Sequence, residues 1–156
     1  MGLTMSITRL CYRSTPNFAN MALSLEEEIE RITSRSRHNN KRDNVTGALI
    51  LAGPSFFQMI EGPEAEVMAA YGRIARDTRH NQPTIIEVRT ATSRILPDLP
   101  LFFCDALDAH DGVLSSLSMP IMQSPDLVTH DDIVSVTIFA SARLSRGPEI
   151  GRRMSA

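Results

Sequence analysis

Tryptophan is absent from the 156-residue chain and aromatic residues make up only 5% of it, so any platform for stacking nucleic-acid bases would be thin. A net charge of −2 also lacks the basic surplus on which sequence-independent nucleic-acid binding depends. No apolar run approaches the ~20 residues of a membrane span. The N-terminus has no signal-peptide core. Met1-Gly2-Leu-Thr-Met-Ser6 matches the short myristoylation pattern, which we read as coincidence because Met5 offers an alternative start. The two cysteines, Cys11 and Cys104, each sit in a strand-like apolar run, and reduced, buried thiols in a cytoplasmic protein suit them better than a disulfide does. His38, His110 and His130 stand at no metal-ligand spacing with either cysteine, so no metal site is expected; His110-Asp-Gly and His130-Asp-Asp read as solvated loop or helix-start sequences. A Ser–His–Asp elbow and a phosphate-cradling glycine loop are both missing. What is left, at 42% apolar and 22% charged, is one globular domain with a short appendage and a real core.

Periodicity supplies the elements. Ile7-Thr-Arg-Leu-Cys-Tyr12-Arg alternates as a strand. Ser24 and Glu27 form a capping box that opens a helix to about Arg37, with Leu25, Ile29, Ile32 and Ser36 on one face and Asn39-Asn40 ending it. Val45–Leu51 reads as a strand buried on both faces. Gly53-Pro54 turns the chain, and Phe56–Ile60 returns it. Pro63 is expected at the first position of a second helix, with Glu64 and Glu66 in its first turn and Val67, Ala70, Tyr71 and Ile74 inward. Thr84–Val88 and Leu99–Ala106 supply further strands. The order β-α-β-β-α-β-β predicts an α+β, ferredoxin-like sandwich with two helices on one face of a mixed sheet. Val113–Met122 and Asp132–Leu144 read as short helices, although the β-branched Ile133, Val134, Val136, Thr137 and Ile138 could equally form a strand.

The chemistry-bearing residues are amides and a phenol. Asn40 precedes the Val45–Leu51 strand, Gln58 lies in the strand that returns beside it, and Tyr12 belongs to the first strand. None of the three ionises near neutral pH. They can donate and accept hydrogen bonds in a fixed order around a flat heteroaromatic ligand, which points to a bound cofactor and away from hydrolysis.

These residues, at these spacings, resemble the BLUF domain, a blue-light sensor that binds FAD. The resemblance rests on Arg9-Leu-Cys-Tyr12-Arg-Ser, on Arg37-x-Asn39-Asn40 followed by Val-Thr-Gly47, on Phe57-Gln58-Met-Ile-Glu61-Gly62, and on Tyr71-x-Arg73-Ile74-x-x-Asp77-x-Arg79-His80. It implies that residues 5–106 form the flavin-binding domain; beyond it, the sequence pattern reads 107–146 as a C-terminal helical cap on the sheet's open face and 147–156 as a disordered tail. It implies further that Ile32 and Ile74 flank the flavin ring, that Asn40, assisted by Asn39, bonds its polar edge, and that Arg73, Asp77 and His80 hold the ribityl chain and phosphate. Spacing alone places those last three at i, i+4 and i+7, on one helix face and its exit. Glu61 reads as structural. Tyr12 and Gln58 are the implied photochemical pair: the phenol gives an electron and then a proton to the excited flavin, and the amide rearranges.

One stretch departs from the pattern. The last strand of the family carries a Trp-Ser-Met-like triplet, whereas this chain follows Arg94-Ile-Leu-Pro97-Asp98 with Leu99-Pro100-Leu101. Binding is expected to survive that change, while output and lit-state lifetime are expected to differ. Pro100 removes a ladder donor and suits an edge strand. No output domain is read from the sequence, so the expectation is a non-enzymatic, short receptor acting through a partner protein or a homo-oligomer. Two other readings share the element order. A phosphohydrolase of the acylphosphatase type would need a glycine-rich phosphate loop, and a flavin-free or light-insensitive interaction module would draw on the altered triplet.

Overall fold

Every residue of strands β2 (Thr46–Ala52) and β3 (Ser55–Gly62) is buried, as continuous apolar runs require when a sheet is covered on both faces. The computed structural model describes residues 6–106 and 112–144. The expectations for Met1–Met5, His110 and the tail 147–156 lie outside those residues. Around the central pair stand β1 (Ile7–Pro16), α1 (Leu25–Asp43), α2 (Glu64–Ala75), β4 (His80–Ala91), β5 (Phe102–Asp105), α3 (Gly112–Gln123) and α4 (His130–Leu144). The sheet order is β4-β1-β3-β2-β5. The first four strands pair antiparallel in ferredoxin-like order, and β5 joins the free edge of β2 in parallel. The mixed-sheet, ferredoxin-like α+β reading therefore holds.

Alternation along each strand sorts the side chains between two helical layers. Leu10, Tyr12, Val45 and Ile60 meet Val67 and Ala70 of α2, while Leu49, Leu51, Phe56 and Leu101 meet Ile29 of α1. On the opposite face Cys11, Ile50, Phe57 and Met59 pack with Ile121 of α3 and Ile133, Val136 and Ala140 of α4. Burying a side chain of this size contributes about 1.5–3 kcal/mol. Packing on that face decides α4 against its β-branched preference. Close approach of β2 to β3 explains the glycine after Val45-Thr46: a Cβ on Gly47 would lie 2.3 Å from the Met59 carbonyl oxygen.

Glu61 is fully buried on the α3/α4 side and anchors the crossing from β4 to β5. It accepts from Arg9 Nε at 2.8 Å and from the backbone N–H groups of Ile95 and Leu96 at 2.8 and 2.9 Å. Three bonds to the charged form offset the cost of burying it.

Several boundaries differ from expectation. Helix α1 starts as expected, with Ser24 accepting from the Glu27 N–H, but it continues past Arg37 to Asp43. Asn44, at φ 58° and ψ 39°, is the left-handed cap, and its N–H and that of Val45 both reach the Asn40 carbonyl. Asn39 and Asn40 are thus inside the last helical turns, and a third asparagine takes the conformation that the residue type tolerates. Pro63 is the N-cap of α2, with an extended ψ of 141°, and not its first helical residue. Pro100 precedes β5 and is not within it. His130 opens α4, but its ring is buried, with Nδ1 2.9 Å from Asp131 Oδ1, so it is not a solvated loop residue.

Candidate functional site

Tyr12 on β1 stands directly opposite Gln58 on β3, and Gln58 stands opposite Leu49 on β2. All three face the α1/α2 layer, and Tyr12 and Gln58 form the polar part of the floor of a cleft of about 480 Å³ between those helices. The Tyr12 hydroxyl donates to Gln58 Oε1. That bond uses the carbonyl end of the amide, so the NH₂ end is what Gln58 has to offer a ligand. Burial, with smaller contributions from Tyr71 and Asp77, pushes the Tyr12 phenol far above its usual range. It stays a neutral O–H donor across physiological pH.

The walls come from the helices. Ile32 of α1 and Ile74 of α2 line the cleft from opposite sides. Asn39 and Asn40 follow Ile32 by two turns, so the helix brings them to the same face. Asn40 is 4% exposed. One of its Nδ2 protons goes to the Pro100 carbonyl at 2.7 Å, which leaves the other proton and Oδ1. Leu101, the residue after Pro100, lines the cleft itself, and its carbonyl accepts from Arg37 Nε at 2.9 Å. Tyr71 sets its ring edge-on to Tyr12 at a centroid distance of 5.5 Å.

Arg73, Asp77 and His80 all line the cleft, yet they do not share a helix face. The helix stops at Ala75, Asp77 sits in the following turn with its N–H on the Ile74 carbonyl, and His80 begins β4. Their partners divide accordingly. Arg73 reaches Asp43 at 3.2 Å, whereas Asp77 binds Arg79 at 2.6 Å. Burial works against the Asp77 charge, but the bonds from Arg79 outweigh it and hold the carboxyl below its usual range. His80 has both ring nitrogens engaged, Nε2 at 2.6 Å from the Ile74 carbonyl and Nδ1 at 2.8 Å from Ser14 Oγ. A carbonyl only accepts, so Nε2 carries the proton and donates. The i, i+4, i+7 spacing misled because polar residues continue it beyond the helix end.

Arg35 and Arg76 also line the cleft and were not singled out from the sequence. The helical face through Ile32 and Asn39 contains position 35, so the periodicity could have found Arg35; Arg76 caps α2 and carries no such signal. The cysteines are excluded from the site. Cys11 adjoins Tyr12 but points to the other face, and burial pushes its thiol up to about 12, as it does that of Cys104. Among the described residues no cluster of His, Cys, Asp or Glu could hold a metal ion, and no helix is long and apolar enough to cross a membrane.

Comparison with known proteins places these features in a group. The family model described as "BLUF: Sensors of blue-light using FAD" matches residues 7–101, more than half of the chain. The chain is 41% identical over 54 residues to the blue light- and temperature-regulated antirepressor BluF of Escherichia coli, covering 35% of this chain and 13% of that protein. It is 29% identical over 92 residues to the photoactivated adenylate cyclase subunit beta of Euglena gracilis, covering 59% of this chain and 10% of that one. The chain thus spans a small part of both relatives. Among solved structures it is similar to that of BlrB, a BLUF protein, in its dark state, with a TM-score of 0.72 and 25% identity over 90% of this chain and 99% of the other.

Proposed function

The chain belongs to the BLUF family of blue-light sensors using FAD, and from that premise we propose that it binds FAD non-covalently in the α1/α2 cleft and signals through Tyr12 and Gln58. The residues present fit a flavin. The cleft volume of about 480 Å³ falls within the range of small-molecule sites. Its walls offer aliphatic side chains from two helices, Ile32 and Ile74, as an aromatic ring requires for its faces. Its floor and end offer amides with spare donors and acceptors, Gln58 and Asn40, for a polar edge, and its mouth carries arginines. Bound there, a flavin would supply a blue-light chromophore whose excited state can accept an electron and a proton from a nearby phenol.

The chain's own residues set the response. Tyr12 keeps its proton because burial penalises the phenolate, and it holds that proton on Gln58 Oε1. That hydroxyl–amide bond is the single observation carrying the proposal. It fixes one of two orientations of an amide whose ends have opposite hydrogen-bond character, so a change at the Tyr12 oxygen releases Gln58 to turn over or tautomerise. Making or breaking one neutral hydrogen bond is worth about 0.5–1.5 kcal/mol. Such a switch biases an element already near balance and does not refold the sheet. The proposal takes residues 5–106 as the sensing unit and 107–146 as the cap that passes the signal to a partner protein or to a second copy of the chain in the cytoplasm.

The test is the visible absorption spectrum of the purified chain, in the dark and after a blue flash. Flavin bands that move reversibly to the red are expected. Bound flavin without a shift would overturn the Tyr12–Gln58 switch, and a colourless protein that also refuses added FAD would favour the flavin-free interaction module.

A further inference from the structure

Four arginines line the cleft: Arg35, Arg73, Arg76 and Arg79. Two already face carboxylates. Arg79 is bonded to Asp77 at 2.6 Å with Glu28 at 4.0 Å beyond it, and Arg73 reaches Asp43 at 3.2 Å, a carboxylate that Arg42 also holds at 2.8 Å. Arg35 and Arg76 have no carboxylate within ion-pair distance among the described residues. They approach the cleft from different walls, Arg35 from the inner face of α1 and Arg76 from the C-cap of α2. Both are exposed, at the mouth and away from the buried amides. A ring site that ends in two unpaired guanidinium groups is built for a ligand with an apolar end and an anionic end. Asp77, the acidic side chain in the lining, does not oppose an anion strongly because Arg79 holds it.

We propose that Arg35 and Arg76 are specificity-determining residues that read the phosphate of a flavin nucleotide, so that this chain prefers phosphorylated flavins to riboflavin. The inference rests on the flavin reading of the same cleft and changes which side chains serve the phosphate, since Arg73 is engaged by Asp43. Guanidinium groups bind phosphate oxygens through paired, charge-assisted bonds. At an exposed mouth such contacts are modest, and two of them together favour FMN or FAD over riboflavin about tenfold at low salt. At about 1 M salt the screening length shrinks to about 3 Å, and the preference collapses while ring binding persists.

Competition on the full chain tests this. Protein saturated with riboflavin is challenged with equimolar FMN or FAD, and the flavins retained after gel filtration are separated and quantified. The wild-type chain should retain about ten nucleotide molecules per riboflavin at low salt, and Arg35→Gln/Arg76→Gln should retain the two in near-equal amounts. Arg31→Gln, an exposed arginine of α1 that does not line the cleft, should behave as wild type. Equal retention of FMN and FAD would support reading of a single phosphate; FAD favoured over FMN, with the excess lost in the double variant, would support reading of the diphosphate. Equal retention of riboflavin and nucleotides by the wild type, or an unchanged ratio in the double variant, would overturn the inference while leaving the flavin site standing. Failure to retain any flavin would instead overturn the flavin reading itself, and the inference with it.

Discussion

Cys11 and Tyr12 are neighbours in β1, yet they live in different environments. Cys11 is sealed between the sheet and α3/α4, among Phe57, Met59 and Ile133; Tyr12 borders the cleft under α1 and α2. The same alternation separates Phe57 from Gln58 and Met59 from Ile60. Polar groups on the two faces differ in how completely they are used. Glu61, on the sealed face, has donors on both carboxylate oxygens, three in all. On the cleft face Asn40 spends one amide proton on Pro100, and Gln58 spends one carbonyl on Tyr12. Unpartnered atoms alone do not mark a ligand site, because Ser118 Oγ, His130 Nε2 and Thr137 Oγ1 are buried without partners and none lines the cleft. Half-used amides beside an open volume are what set the cleft apart from those three positions.

The largest effect is expected on the sealed face. Glu61→Ala leaves Arg9 as an uncompensated buried charge and two backbone N–H groups without acceptors, a loss of about 3–5 kcal/mol in denaturant unfolding. A loss under 1 kcal/mol would mean that the crossing from β4 to β5 is held by other contacts. The adjacent pair Phe57 and Gln58 sharpens the comparison further. Phe57→Ala should cost about 3–5 kcal/mol and leave the light-induced spectral shift of the folded fraction intact. Gln58→Leu leaves the buried Tyr12 hydroxyl without its acceptor; it should cost about 1–3 kcal/mol and abolish the shift. The reverse pattern would break the assignment of stability to one face and signalling to the other.

Much of this division was legible in the sequence. The order of elements with its ferredoxin-like fold, the two-sided burial of Val45–Leu51 and the placing of Tyr12, Asn40 and Gln58 on one sheet and its adjoining loop all follow from alternation and spacing. The C-terminal ends of α1 and α2 were not legible. Asn39, Asn40 and Asn44 are equally suited to cap α1, and the choice falls to Asn44 because Asn40 is needed as the acceptor for the closing turn and as a donor to Pro100. Beyond Ala75 the polar spacing imitates a continuing helix, while the tight bond from Asp77 N–H to the Ile74 carbonyl and the Asp77–Arg79 pair have already turned the chain. In α4, Ile133, Val134 and Val136 prefer strand locally, and only tertiary burial makes them helical.

Alkaline titration compares the two faces by chemistry. Burial raises the pKa values of Cys11 and Cys104, on the sealed face, and of Tyr12, at the cleft. In each case the unfolded chain ionises first, so the stabilising contribution is complete below the unfolded pKa and is lost as pH rises towards the folded one. The thiol contribution therefore begins to fall near 9 and fades towards about 12, and the phenol contribution begins near about 10. Each group steepens the decline by up to about 1.4 kcal/mol per pH unit. Tyr12→Phe should remove one such slope above pH ~10 and leave the thiol limb in place. An unchanged alkaline limb would mean that Tyr12 is solvated in the folded state.

The smallest thermodynamic effect, and the one that links the faces, is expected at Leu99–Leu101. This segment leaves the Glu61 anchor on the sealed side and arrives at the cleft. The Leu99 carbonyl accepts from Gly47 N–H at 3.2 Å, that of Pro100 from Asn40 and that of Leu101 from Arg37. Three backbone acceptors thus tie it to β2 and to α1, beside the two amides of the site. Its side chains, Leu99, Pro100 and Leu101, offer no hydrogen bond with which to follow a turning amide. A Trp and a Met at the outer positions would add an indole N–H donor and a polarisable thioether without removing any of the backbone bonds. Leu99→Trp/Leu101→Met should therefore move folding stability by about 1–1.5 kcal/mol or less and change the rate of dark recovery after a blue flash. Recovery kinetics identical to wild type would show that the segment is mechanically silent, and that the signal leaves Gln58 through its own strand, by way of Phe57 and Met59 into the α3/α4 face.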